Sequence, residues 1–224
     1  MRRRRGRRLA AAILSALLLV SIAPTAAGQT EPRSFTVLAA GDIIVHGRLA
    51  GFAAQNAAAP GEWDFWPMME AFEPWVSSAD FSICALEVVL SSTNRGLSYY
   101  PRFIAPNQVA DAIAATGWDA CTTATNHGLD GGIQGVVTTL DELDERGIGH
   151  SGTARTPEER LPALYEIEGV TVAHLAFTEH WNGLETPADM RWAANTARAD
   201  QIIEDARWAR EQGAEFVILS ISWG

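Results

Sequence analysis

Asp42, His46, Glu87, Arg102, Asn126 and His127 are the residues of this chain whose types and placement could do chemistry. Asp42 closes the β-rich run SFTVLAAGD (34–42), Glu87 closes the apolar run DFSICALE (80–87), and Asn126-His127 follow WDACTTAT (118–125). Carboxylate, amide and imidazole groups are the ligands that hard and borderline divalent cations take. Two such cations roughly 3.5–4 Å apart stabilise the attacking and leaving oxygens of a hydrolysis, and a neighbouring histidine serves as acid or electrostatic clamp. Each group also has a plainer use. Gly41-Asp42 suits a turn, and Asp130 suits a cap or turn acid ahead of a helix. His46 is either a ligand or a loop histidine. Arg102, in YPRF, either holds an anionic substrate group or is solvated as most arginines are. His150, His174 and His180 have no partner spacing and read as structural or exposed. Glu87 is the least ordinary, because a carboxylate closing a buried run is costly unless paired or metal-bound.

An alternating series of strands and helices must position these groups. Strands are expected over 34–42, 80–87, 118–125 and 215–222, with two more around Glu168-Gly169 within 164–180. A helix over 65–79 is interrupted by Pro74. Another over 107–117 has Asn107 as its N-cap and Gly117 as its stop. Ile133, Val136, Val137, Leu140 and Leu143 mark one face of a third, ending near Gly147, and 195–213 is a fourth with a Gly stop. This alternation argues an α/β fold with a largely parallel or mixed sheet. In such sheets ligands bind beyond the carboxyl ends of the strands, where three of these strands deliver Asp42, Glu87 and Asn126-His127.

Composition narrows the function classes. Residues 1–27 combine an arginine cluster, an apolar run from Leu9 to Ala23 and small residues up to Ala27. The apolar run is shorter than the about 20 residues that a spanning helix needs. The segment therefore reads as a cleaved secretory signal, with a retained N-terminal anchor as the alternative. Six of the 17 basic residues lie in residues 1–8 and none of the 27 acids precedes Glu31, so residues 28–224 carry 11 bases against 27 acids, a formal −16. An acidic exported domain is a poor match to nucleic acid or anionic lipid and is compatible with cation binding. The chain has no lysine and no Gly-x-Gly-x-x-Gly after its first strand, which leaves nucleotide binding without a motif. Cys84 and Cys121 both sit in apolar runs, and either a disulfide or two buried thiols fits them.

Four stretches carry a family resemblance: LAAGDIIVHGRL, ICALEVVLSS, the block 99–155 with its Asn-His-x-x-Asp-x-Gly pattern, and the final FVILSISWG. From about residue 34 onward the chain resembles the CapA-type poly-γ-glutamate capsule synthesis proteins, within the calcineurin-like metallophosphatase superfamily. The resemblance implies an α/β fold of a specific kind, a four-layer α-β-β-α metallophosphatase-like sandwich over 28–224. It also implies a dinuclear divalent metal site. Asp42 matches the first metal-binding aspartate, Glu87 the acid of an Asn-Leu-Glu motif written here as Ala-Leu-Glu, and Asn126 the metal-binding asparagine. His127 matches the histidine that polarises substrate or protonates a leaving group. His46 is commonly present in the family's opening motif.

Two departures qualify these expectations. Ser222-Trp223-Gly224 stands where the family has His-Trp-Gly, and a hydroxyl is a poorer metal ligand than imidazole. The family's later Gly-His-x-Pro-His-type loop is also missing, so the sandwich is expected to be incomplete at the C-terminus. Two functions follow from the resemblance. One is an exported, extracellular or envelope-associated metal-dependent hydrolase of capsule or envelope polymer synthesis. Its substrate would be an anionic polymer or phosphoester, and its partners would include capsule synthesis membrane proteins but not nucleic acid. The other is a catalytically degenerate module that binds polymer or assembles the capsule machinery.

Overall fold

The computed structural model describes residues 33–223; the signal or anchor segment 1–27 lies outside them. Two sheets face each other. The first has the order β1-β2-β5-β6 and is parallel throughout, from β1 (Val37–Ile43), β2 (Phe81–Leu86), β5 (Ala120–Thr122) and β6 (Gly149–Ser151). The second contains β7 (Ala163–Ile167), β8 (Val170–Thr178) and β9 (Phe216–Ser222), with β7 antiparallel and β9 parallel to β8. Two three-residue strands, β3 (Val89–Ser91) and β4 (Ile104–Pro106), pair separately; both escape sequence reading because so short a run has no readable period.

Strand parity explains how the layers meet. Phe81 and Ile83 of β2 and Ala120 of β5 pack on Ile167, Val170 and Val172 of the second sheet. The alternate residues Cys84, Leu86 and Cys121 point the other way. There they meet α1 (Gly47–Asn56), α4 (Gln108–Thr116) and α5 (Gly132–Asp144) through Ala50, Ala53, Ile113, Val136 and Leu140. On the far side, Ala173, Leu175 and Phe177 of β8 cover Ala209 of α6 (Ala199–Glu211). All six residues of β2 are buried, as expected of a strand paired on both sides beneath helices. Cys84 and Cys121 lie directly opposite one another on β2 and β5 and form a disulfide, which settles the choice between bridge and thiols.

Several boundaries differ from expectation for local reasons. The run 65–79 divides into α2 (Trp66–Met69), a 3-10 turn (Glu70–Phe72) and α3 (Glu73–Val76), as its prolines require. The strand expected over 118–125 leaves the sheet after Thr122, and Thr123 Oγ1 instead meets Thr153 Oγ1 at 2.7 Å. Helix α6 begins at Ala199 rather than 195, because Asn195 and Ala197 bond to β8. Asn107 precedes α4 but does not cap it; its side-chain amide donates to Glu142 Oε2 at 3.1 Å. Gly117 does stop α4, in the left-handed region at φ 93°.

Candidate functional site

The carboxyl end of the parallel sheet gathers the charged groups. A register shift between Ala39 and Asp42 sets Asp42 opposite Ala85, so Asp42 shares the inner face of the sheet with Ala85 and Thr122. These three line a cleft of about 220 Å³ with Thr125 and, from β9, Ser220 and Ser222. Glu87 follows β2 directly, and its backbone N–H donates to the carbonyl of Ile43 at 3.1 Å. Its carboxyl is pushed up to about 7, first by burial, then by a hydrogen bond with Asp42 and by the negative charges of Asp42 and Asp130. Two carboxyl groups in contact must share a proton or a cation between them.

The turn after β5 builds a second cluster beside the first. His127 is buried, and its Nδ1 lies 2.7 Å from Asp130 Oδ2. The same oxygen accepts the backbone N–H of Phe103 at 2.6 Å. A carboxylate can only accept, so Nδ1 carries a proton and Nε2 is the free ring position. Asn182 Nδ2 sits 3.3 Å from Nε2. The Phe103 ring packs edge-on against His127 on one side (4.7 Å) and against His46 on the other (5.0 Å). Gly128 explains why a glycine follows His127. A Cβ there would lie 2.4 Å from the carbonyl oxygen of Thr123 and 3.0 Å from the Trp181 ring. Any larger residue would push the turn away from both.

A cavity of about 460 Å³ opens on this cluster, lined by Tyr100, Arg102, Asn126, His127, Asp130 and Asn182. Arg102 is exposed, and among the described residues its guanidinium has no carboxylate partner. The sequence candidates thus fall into linked groups. Asp42 meets Glu87, Glu87 feels Asp130, Asp130 holds His127, and Asn126, His127 and Arg102 share one cavity. His46 is exposed and is joined to the rest through Phe103. The reading of Asp130 as a plain cap or turn acid is corrected: it is buried and committed to His127 and Phe103. The His-x-x-Asp spacing carried that signal. Asn182, 55 residues beyond His127, carried none.

The donor set fits a hard or borderline divalent cation. The clashing carboxyls of Asp42 and Glu87 are relieved by positive charge, and the buried hydroxyls of Thr122 and Thr125 beside them have no hydrogen-bond partner among the described residues. Elsewhere Asp144, His150 and Glu159 also converge, but the Arg155 guanidinium bridges both carboxylates and already supplies the cation. A comparison with curated proteins found no match. The model of the family described as bacterial capsule synthesis protein PGA_cap matches residues 36–224, and the chain belongs to that family.

Proposed function

We propose that this capsule synthesis protein is exported and acts as a metal-dependent hydrolase on an anionic polymer or phosphoester. The observation that carries the reading is the contiguity of the Asp42–Glu87 carboxyl pair with the Asp130–His127 pair at the carboxyl end of one parallel sheet. Helices lying outside two facing sheets support the four-layer α-β-β-α metallophosphatase sandwich. The disulfide supports an oxidising compartment and hence export.

Asp42, Glu87 and Asn126 would hold the metal, one ion or two, with His46 as the remaining candidate ligand. When bound, the metal would supply Lewis-acid polarisation and a water of lowered pKa. The protein's own groups do the rest. The Arg102 guanidinium receives an anionic group of the substrate in the cavity it shares with His127. Asp130 fixes the ring orientation and stands against the positive charge that the imidazole carries when both nitrogens are protonated. His127 Nε2 would then deliver its proton to the leaving atom, oxygen in a phosphoester or nitrogen in an amide, as that atom's bond to phosphorus or carbonyl carbon breaks; the oxygen of water forms the new bond to the same centre and its proton passes to solvent. Asn182 holds the Nε2 edge until substrate displaces it.

A test is hydrolysis by the full chain, supplied with Mn²⁺ or Zn²⁺, of p-nitrophenyl phosphate, bis-p-nitrophenyl phosphate and γ-glutamyl p-nitroanilide. Metal-dependent turnover abolished by Asp42→Ala and His127→Ala supports the reading; a folded, metal-loaded protein inert on all three contradicts it. One observation favours the degenerate alternative, a polymer-binding or assembly module. Ser222 faces the Asp42 cleft where an imidazole was expected, removing a strong ligand. Capsule synthesis membrane proteins would be partners under either reading.

A further inference from the structure

A second large cavity, about 500 Å³, opens where β8 ends and α6 begins. Its wall includes Arg160, Arg191 and Arg198, together with Trp192, Asn195 and Gln201. These are three of the 11 arginines of residues 28–224, in a segment that carries 27 acids and no lysine. We propose that this cavity is a binding site for an oxyanion, a carboxylate or a phosphate group, separate from the Asn126–His127 cavity and independent of any hydrolytic activity there.

The three guanidiniums differ in how they are held. Arg160 is the fixed wall. It donates to both oxygens of the buried Asp205, at 3.0 and 2.6 Å, and Gln201 Nε2 bonds the same carboxylate at 3.0 Å. Arg191 and Arg198 are paired only at the exposed surface. Arg191 reaches Glu185 at 3.4 Å with the two side chains 64% and 75% exposed. Arg198 holds its near neighbour Asp200 through two bonds, at 2.7 and 3.2 Å, with the two side chains 69% and 64% exposed. Ion pairs so exposed contribute little, since water and salt screen them. An oxyanion entering the cavity replaces them at small cost.

The chemistry of the wall suits that ligand. A guanidinium presents a planar fork that matches both oxygens of a carboxylate or two of a phosphate, and two forks can grip one anion. Arg198 is also the N-cap residue of the 13-residue α6; its own side chain does not cap the helix, and Asp200 in the first turn accepts the Gln201 N–H at 3.0 Å. The positive end of the helix dipole adds to the field at the cavity, against the partial offset of the Asp200 carboxylate. The Trp192 indole N–H is committed to the carbonyl of Asp189 at 3.2 Å, which leaves its ring as an apolar wall. A ligand with an oxyanion head and a short aliphatic stem fits this combination.

Isothermal titration of the full chain at low ionic strength, with inorganic phosphate and with triglutamate as separate probes, tests the proposal. At least one probe is expected to bind one-to-one in the wild type and in Asp42→Ala. Replacing Arg191 and Arg198 together by Gln should weaken that binding about tenfold or more, through loss of two charge-assisted partners. Each single replacement should weaken it less. Both side chains are exposed, so the fold survives the changes, and which probe binds identifies the anion class. Failure of both probes, or binding that Asp42→Ala removes while the double arginine variant keeps it, overturns the proposal.

Discussion

Asp130 Oδ2 serves two donors at once, His127 Nδ1 at 2.7 Å and the Phe103 N–H at 2.6 Å. One buried carboxylate thus fixes both the imidazole and the aromatic ring that separates His127 from His46. Asp130→Ala should leave the Phe103 N–H buried without a partner and cost about 1–3 kcal/mol, read as a lower urea midpoint. Asp130→Asn should be milder in stability yet lower turnover of any hydrolysed substrate about 10²–10⁴-fold, since the ring loses its orienting charge. Equal turnover in Asp130→Asn and wild type would remove Asp130 from the mechanism.

The Cys84–Cys121 bridge ties the two strands whose ends carry Glu87 and Asn126, across a separation of 37 residues. Loop-closure entropy for a loop of that length predicts a loss of about 4 kcal/mol on replacing both cysteines by alanine. Urea unfolding of the double variant, compared with wild type under non-reducing conditions, checks it. A variant as stable as wild type would show that the packing of β2 and β5 suffices alone.

His174 is wholly buried on β8, its Nε2 2.9 Å from Ser220 Oγ and its Nδ1 without a partner. Burial lowers its pKa from 6.5 to about 4. The folded state therefore resists a proton that the unfolded chain accepts. Stability from this residue is intact above pH 6.5, falls as pH drops from 6.5 to about 4, and levels off below; the loss is about 3 kcal/mol at 1.36 kcal/mol per unit. Unfolding free energies of wild type and His174→Leu between pH 4 and 7 test this. The variant should show a shallower slope, and identical slopes would refute it.

Gly128→Ala places a methyl group against the Thr123 carbonyl and the Trp181 ring. Overpacking of this kind costs typically about 1–3 kcal/mol. The displaced turn should also disturb His127, so thermal unfolding and turnover should fall together. Loss of stability with unaltered turnover would show that the turn relaxes away from His127.

The alternation of strands and helices was legible because each long element has a clear period or a glycine stop, as in α5 and α4. The candidate chemical residues were singled out because strand ends in α/β sheets are where ligands bind. What sequence could not supply is contact between distant segments. The pairing of Cys84 with Cys121 depends on β2 and β5 being neighbours in exact-opposite register. Asn182 reaches His127 only because the segment after β8 folds back over the end of the first sheet. Thr123 looked like strand by composition, but its hydroxyl found Thr153, and tertiary bonding overrode local propensity.

We propose that Asp42 and Glu87 hold a divalent metal beside His127. Elemental mass spectrometry of the purified full chain, run beside Asp42→Ala and Glu87→Gln, tests it most directly, with circular dichroism to confirm folding. Stoichiometric divalent metal is expected in the wild type, with its loss in both folded variants. A folded wild-type protein that retains no metal after exposure to Mn²⁺ and Zn²⁺, or variants that retain as much as wild type, would contradict it.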